Sequence, residues 1–90
     1  MTRNVKKKRV QFDVHAEPDA DVFVAGSFND WNPKKNKLRP KNGGYSTNIL
    51  LPKGTYEYKF VVNGSWLNDP QCDTQKTNEY GSVNSVVSVQ

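Results

Sequence analysis

One cysteine, one histidine and one methionine occur in 90 residues, and each scarcity excludes something. Cys72 has no partner for an internal disulfide, which fits a reducing compartment and makes the cytoplasm the expected location. A single thiol and a single imidazole, His15, are too few for a zinc cluster. They also supply no spare histidine for a Ser-His-Asp or Cys-His constellation. No metal, no cofactor and no enzymatic activity are expected. Apolar residues make up 34% of the chain and form no run long enough for a membrane span. No apolar stretch follows the N-terminal basic cluster, so no signal peptide is expected. Helical apolar spacing is also missing.

The basic excess is local. Of 13 Lys and Arg residues, five (Arg3, Lys6, Lys7, Lys8, Arg9) precede residue 10, leaving eight bases against nine acids in the rest. The sequence thus divides into a flexible basic arm, 1–9, and one near-neutral domain, 10–90. Ninety residues suffice for one small core and leave little room for a substrate-enclosing cleft.

Strand signals dominate that domain. Residues 9–17 alternate, with Val10, Phe12, Val14 and Ala16 on one face and Gln11, Asp13, His15 and Glu17 on the other. Further strands are expected over 22–28, 45–51, 55–62 and 82–89, with turns at Glu17–Asp21 and Pro52–Gly54. Residues 29–44 and 70–80 read as polar, irregular connections, and Gly26 suggests a bend or a close backbone approach. Short strands, frequent turns and no βαβ alternation predict an all-β, immunoglobulin-like sandwich of six to eight mainly antiparallel strands.

Asn63-Gly64 is the most informative dipeptide, because a two-residue type I′ hairpin needs positive φ at both central positions. Such a turn pairs Val62 with Ser65, Val61 with Trp66, Phe60 with Leu67 and Lys59 with Asn68. Alternation then places Lys59, Val61, Trp66 and Asn68 on one face, and Tyr58, Phe60, Val62 and Leu67 on a core face. A tryptophan beside lysine and asparagine on the outer side suggests a binding surface. A pyranose suits it, since its C–H face is apolar and its hydroxyls need polar groups at the rim. Trp31, in the turn-forming stretch Asn29-Asp30-Trp31-Asn32-Pro33, is either a plug at the core's edge or a second platform. Local sequence favours the plug.

Three stretches, GSFNDW (Gly26–Trp31), YEYKFVVNGSWLNDP (Tyr56–Pro70) and YGSVNSVVSV (Tyr80–Val89), together resemble family 48 carbohydrate-binding modules. These include the glycogen-binding domain of the AMP-activated protein kinase beta subunit and domains preceding isoamylase and branching-enzyme catalytic domains. The resemblance implies non-catalytic binding of α-1,4-glucan: glycogen, starch or maltooligosaccharides. It implies that Trp31 and Trp66 flank a glucose unit and that Lys59, Asn84 and Ser82 contact hydroxyls. Tyr80 stands where the kinase subunit has a leucine, a departure that leaves stacking as its expected role. A glycogen-metabolising enzyme or a kinase is the implied partner.

Other chemistries have candidate residues too. Asp30 and Asp69 flank the tryptophans and could form a glycosidase pair, yet both sit in turn sequences where Asp bonds its own backbone. Single-stranded nucleic acid would use exposed aromatics with interleaved lysines. The cluster Lys34, Lys35 and Lys37 keeps that reading open, but the basic residues here do not interleave with the aromatics and the domain beyond residue 9 is near neutral. Nucleic acid and membrane are therefore not expected partners. The alternatives to glucan binding are a protein-interaction or adaptor module without sugar binding, and a single-stranded nucleic-acid binder that uses the basic arm.

Overall fold

The computed structural model describes residues 6–90. Nine strands lie among them: β1 (Lys7–Val14), β2 (Val22–Gly26), β3 (Asn36–Lys37), β4 (Arg39–Lys41), β5 (Gly44–Pro52), β6 (Gly54–Val62), β7 (Ser65–Leu67), β8 (Gln75–Thr77) and β9 (Val83–Val89). One sheet has the order β1-β5-β4. The other runs β3-β2-β6-β9-β8, with β7 continuing the β9 side of β6. Every pairing is antiparallel. This is the expected all-β sandwich.

The inner faces follow the alternation of the sequence. Phe12, Val14, Tyr45 and Leu51 from the first sheet meet Val22, Val24, Tyr58, Phe60 and Val89 from the second, with Leu38 closing one side. Val10 and Ala16, on the same face as Phe12, pack at the margin of this core. Phe12 and Tyr58 cross edge-on with ring centroids 5.0 Å apart, and Tyr58 meets Phe60 likewise at 5.8 Å. Such contacts add about 0.5–1.5 kcal/mol beyond area burial. The Phe12–Tyr58 contact pins β6 of the second sheet against β1 of the first, so the opposite face of β6 becomes a rigid base.

The structure departs from the sequence reading in several places. β1 begins at Lys7, and Lys7, Lys8 and Arg9 pair with Pro52, Leu51 and Leu50. These three belong to the sheet and not to an arm, while Arg3 lies outside the described residues. β3 and β4 occupy part of the expected 29–44 loop, and β8 part of the 70–80 stretch. Two or three residues of mixed polarity carry too little period for a strand to show in sequence.

Gly26 ends β2 where the backbones crowd. A Cβ there would stand 2.5 Å from the Glu57 carbonyl oxygen and 2.7 Å from the Phe28 ring. Asn63 and Gly64 have φ of 49° and 85°, the two positive values that type I′ demands. Asn63 also clamps the neighbouring turn, its backbone N–H donating to the Asp21 carbonyl and its Oδ1 accepting from the Asp21 N–H. The resulting ladder pairs Phe60–Leu67, Val61–Trp66 and Val62–Ser65, and stops there; Lys59 and Asn68 are not in it.

Candidate functional site

Counting outward positions along the second sheet gives Glu57, Lys59 and Val61 on β6, Trp66 on β7, Asn84 on β9 and Lys76 on β8. The registers Val61–Trp66, Glu57–Val86 and Lys76–Asn84 put them on one surface. Val61 is buried there because Phe23 and Trp66 flank it from either side as cross-strand partners. An open concavity of about 800 Å³ lies over this surface, a size suited to a small ligand or a stretch of polymer.

The floor is polar and internally bonded. Lys59 Nζ donates to Ser82 Oγ at 2.7 Å. Asn84, only 6% exposed, donates from Nδ2 to Glu57 Oε1 at 3.0 Å and accepts at Oδ1 from Asn78 Nδ2 at 3.2 Å. Lys76 Nζ stands 3.6 Å from the other Glu57 oxygen. These bonds hold side chains that would otherwise lose rotamer freedom on meeting a ligand.

The rim is aromatic. Trp66 is 45% exposed and Tyr80 85% exposed, two of the few large apolar side chains that face water. Tyr80 tops a loop tied by Asn78, whose Oδ1 accepts from the N–H groups of Tyr80 (2.9 Å) and Ser82 (3.1 Å). Gly81, at φ 79°, lets that loop turn back. Trp31 is half-buried and stands outside the core cluster, so it is not the core plug its local sequence suggested. Its turn explains why. Asp30 and Trp31 both adopt φ 57°, a left-handed conformation that costs non-glycine residues about 1–2 kcal/mol each. Buried Asn29 offsets this: its Oδ1 accepts from the Gly26 N–H, and its Nδ2 donates to the Val24 carbonyl and to Asn36 Oδ1. The Trp31 N–H closes the turn onto the Gly26 carbonyl at 2.9 Å, and the indole lines the concavity.

Trp31, Lys59, Trp66, Tyr80, Ser82 and Asn84, the six residues singled out by sequence, all line this one concavity. Glu57, Lys76 and Asn78 were missed. Alternation two residues before Lys59 could have found Glu57, but the other two depend on how β8 docks. Leu67, placed by alternation on the core face, is instead 45% exposed. β7 is the outermost strand at that end, so its inner side overhangs the core's rim. Asp69 accepts from the Tyr58 hydroxyl at 2.6 Å and from the Gln71 N–H at 2.9 Å, and its own N–H donates to Ser85 Oγ. It is a structural anchor for its loop. Burial first, and the Asp69 acceptor second, push the Tyr58 phenol far above its ordinary range. Cys72 Sγ contacts the Thr74 and Val86 carbonyls, and His15, one residue beyond the end of β1, is exposed.

Comparison with known proteins identifies the family. The rice (Oryza sativa subsp. japonica) chloroplastic protein FLOURY ENDOSPERM 6 is 39% identical over 62 residues, 69% of this chain but 12% of its own length. The human 5'-AMP-activated protein kinase subunit beta-2 is 34% identical over 74 residues, covering 82% of this chain and 26% of that subunit. A pig (Sus scrofa) beta-1 subunit is 35% identical over 69 residues, 77% of this chain and 54% of that sequence. The chain thus spans between about an eighth and about half of these relatives. A family model described as the glycogen recognition site of AMP-activated protein kinase matches residues 10–90, which hold both tryptophans, the polar floor and every strand from β2 to β9. The chain belongs to that glycogen-recognition family.

Proposed function

We propose that this domain binds α-1,4-linked glucan without catalysis, by stacking glucose on Trp31 and Trp66. The observation that carries the reading is the convergence of six residues, from three separate stretches of sequence, on a single concavity. Indole faces meet the C–H faces of the sugar, while Lys59, Asn84 and Ser82 orient hydroxyls and Tyr80 extends the aromatic rim. Lys59 and Ser82 now satisfy each other, and a hydroxyl inserted between them would replace one bond by two. Affinity is modest, since ordering a wet, flexible polymer offsets much of the stacking gain.

Membership of the recognition family supports this reading, and the named relatives extend it. Two of them are subunits of a protein kinase, and this chain matches only part of each. The domain's role is to bring a kinase or a glycogen-metabolising enzyme to glucan. Titration with maltoheptaose, followed by tryptophan fluorescence, tests the binding step. A saturable change is expected. An unchanged spectrum up to millimolar sugar would overturn it in favour of an adaptor that recognises protein alone.

A further inference from the structure

Asn84 lies at the base of the concavity with both ends of its amide already engaged, and the two partners agree on its orientation. Asn78 cannot turn its own amide over, because its Oδ1 accepts from two backbone N–H groups, those of Tyr80 and Ser82. Its Nδ2 must therefore point at Asn84, which presents Oδ1 to it at 3.2 Å. Glu57 imposes the same sense from the opposite side. An ionised carboxylate only accepts, so Asn84 must aim Nδ2 at it, 3.0 Å away. Lys76 pairs with the second Glu57 oxygen at 3.6 Å, which keeps the first one turned to Asn84.

We propose that Asn78 and Glu57 are positioning residues, which fix the sense of the Asn84 amide and thereby decide which hydroxyl hydrogen bonds the site offers to a glucan. The proposal rests on glucan binding at this concavity. After its two internal bonds, Asn84 keeps one Nδ2 hydrogen on one side and one Oδ1 lone pair on the other. Turning the amide over exchanges donor and acceptor at the sugar without moving a backbone atom. Neither Asn78 nor Glu57 need touch the ligand for this.

The network's polarity can be reversed with two substitutions. Asn78→Asp keeps an acceptor for the loop N–H groups but sets a second oxygen against Asn84 Oδ1. Asn84 cannot relieve this by turning, because Glu57 then meets the same oxygen. Both thermal midpoint and maltoheptaose affinity fall, the latter by about fivefold to about a hundredfold. Glu57→Gln alone keeps the original sense, since Asn78 still donates to Asn84 Oδ1, and it is the reference against which the combined change is read. Combined, the two changes complete the network with the Asn84 amide reversed: the introduced carboxylate accepts from Nδ2, and the introduced glutamine donates to Oδ1.

The double variant therefore recovers the thermal midpoint lost in Asn78→Asp but not the affinity. A merely structural network would recover both together, and that result would overturn the proposal. Full affinity in Asn78→Asp alone, or a double variant that does not refold, would overturn it as well. If the wild-type domain binds no maltoheptaose, the glucan reading fails and the proposal with it. That failure is distinguishable, because it shows before any substitution is made.

Discussion

The two sheets turn very different outer faces to water. β1 and β5 pair over eight consecutive positions, and their outward side chains are Lys7, Arg9, Gln11 and Asp13 beside Ser46, Asn48 and Leu50, with Arg39 and Lys41 on β4. Side chains of this kind on long regular strands leave little wall for a ligand to lean on; the hollow near His15 and Lys41 has about 260 Å³. The second sheet pairs in short pieces. Its loops at Asn29–Asn32 and Asn78–Ser82 line the concavity together with outward residues of β6 and β9, and they supply Trp31 and Tyr80. Both faces carry cations. Aromatic rings face outward at only one of them, so ring stacking and charge attraction can be tested separately on one molecule.

The largest expected difference comes from removing rings and cations in turn. Trp66→Ala and Trp31→Ala should each weaken maltoheptaose binding by about 1–3 kcal/mol, by analogy with other ring-stacking contacts. Arg9→Ala and Arg39→Ala, on the opposite face, should leave it unchanged. Calorimetric titration of the four variants reads both sides, with far-ultraviolet circular dichroism confirming the fold. Equal losses on the two faces would place the ligand elsewhere.

A smaller effect tests the frame beneath the concavity. Tyr58, on the inner side of β6, holds its proton far more tightly in the folded domain than in the unfolded chain, through burial and then the Asp69 acceptor. A raised folded value means that this stabilisation is complete below the unfolded value of about 10 and is lost as pH rises past it. The thermal midpoint should therefore begin to fall near about pH 10 and keep falling as pH rises above it. Tyr58→Phe, at a cost of about 1 kcal/mol for the missing hydrogen bond at neutral pH, should flatten the decline. An equally steep decline in the variant would assign it to another group.

How far sequence revealed these features depended on how local their causes are. The β6–β7 register follows from two residues, Asn63 and Gly64, whose conformational demands hold in any context. Alternation then placed Lys59 and Trp66 together, and Phe12, Val14, Tyr58 and Phe60 in the core. Leu67 broke the rule because alternation assigns a face and not the extent of what covers it. Trp31 faces the concavity only through the side-chain bonds of Asn29, one of them to Asn36 across a strand boundary, so its local sequence misassigned it. β8, and with it Lys76 and Asn78, is defined by its partner β9. Lys7 to Arg9 read as an arm because their apolar neighbour is Leu50, on another strand.

The smallest effect separates the two faces most cleanly, and it is salt. Glucan is uncharged, so its binding releases no condensed counterions, and in the proposed complex Lys59 serves as a hydrogen-bond donor. Raising salt from 50 to 500 mM should change maltoheptaose affinity by less than about twofold. A polyanion held on the other face by Lys7, Arg9, Arg39 and Lys41 would instead lose affinity steeply, with a log–log slope of about −0.7 per single-strand phosphate engaged. Single-stranded oligonucleotide is the control ligand. A glucan curve that falls in parallel with the oligonucleotide curve would mean that charge carries recognition. A flat glucan curve beside a falling one assigns sugar to the aromatic face, and leaves the basic face to whatever binds by charge.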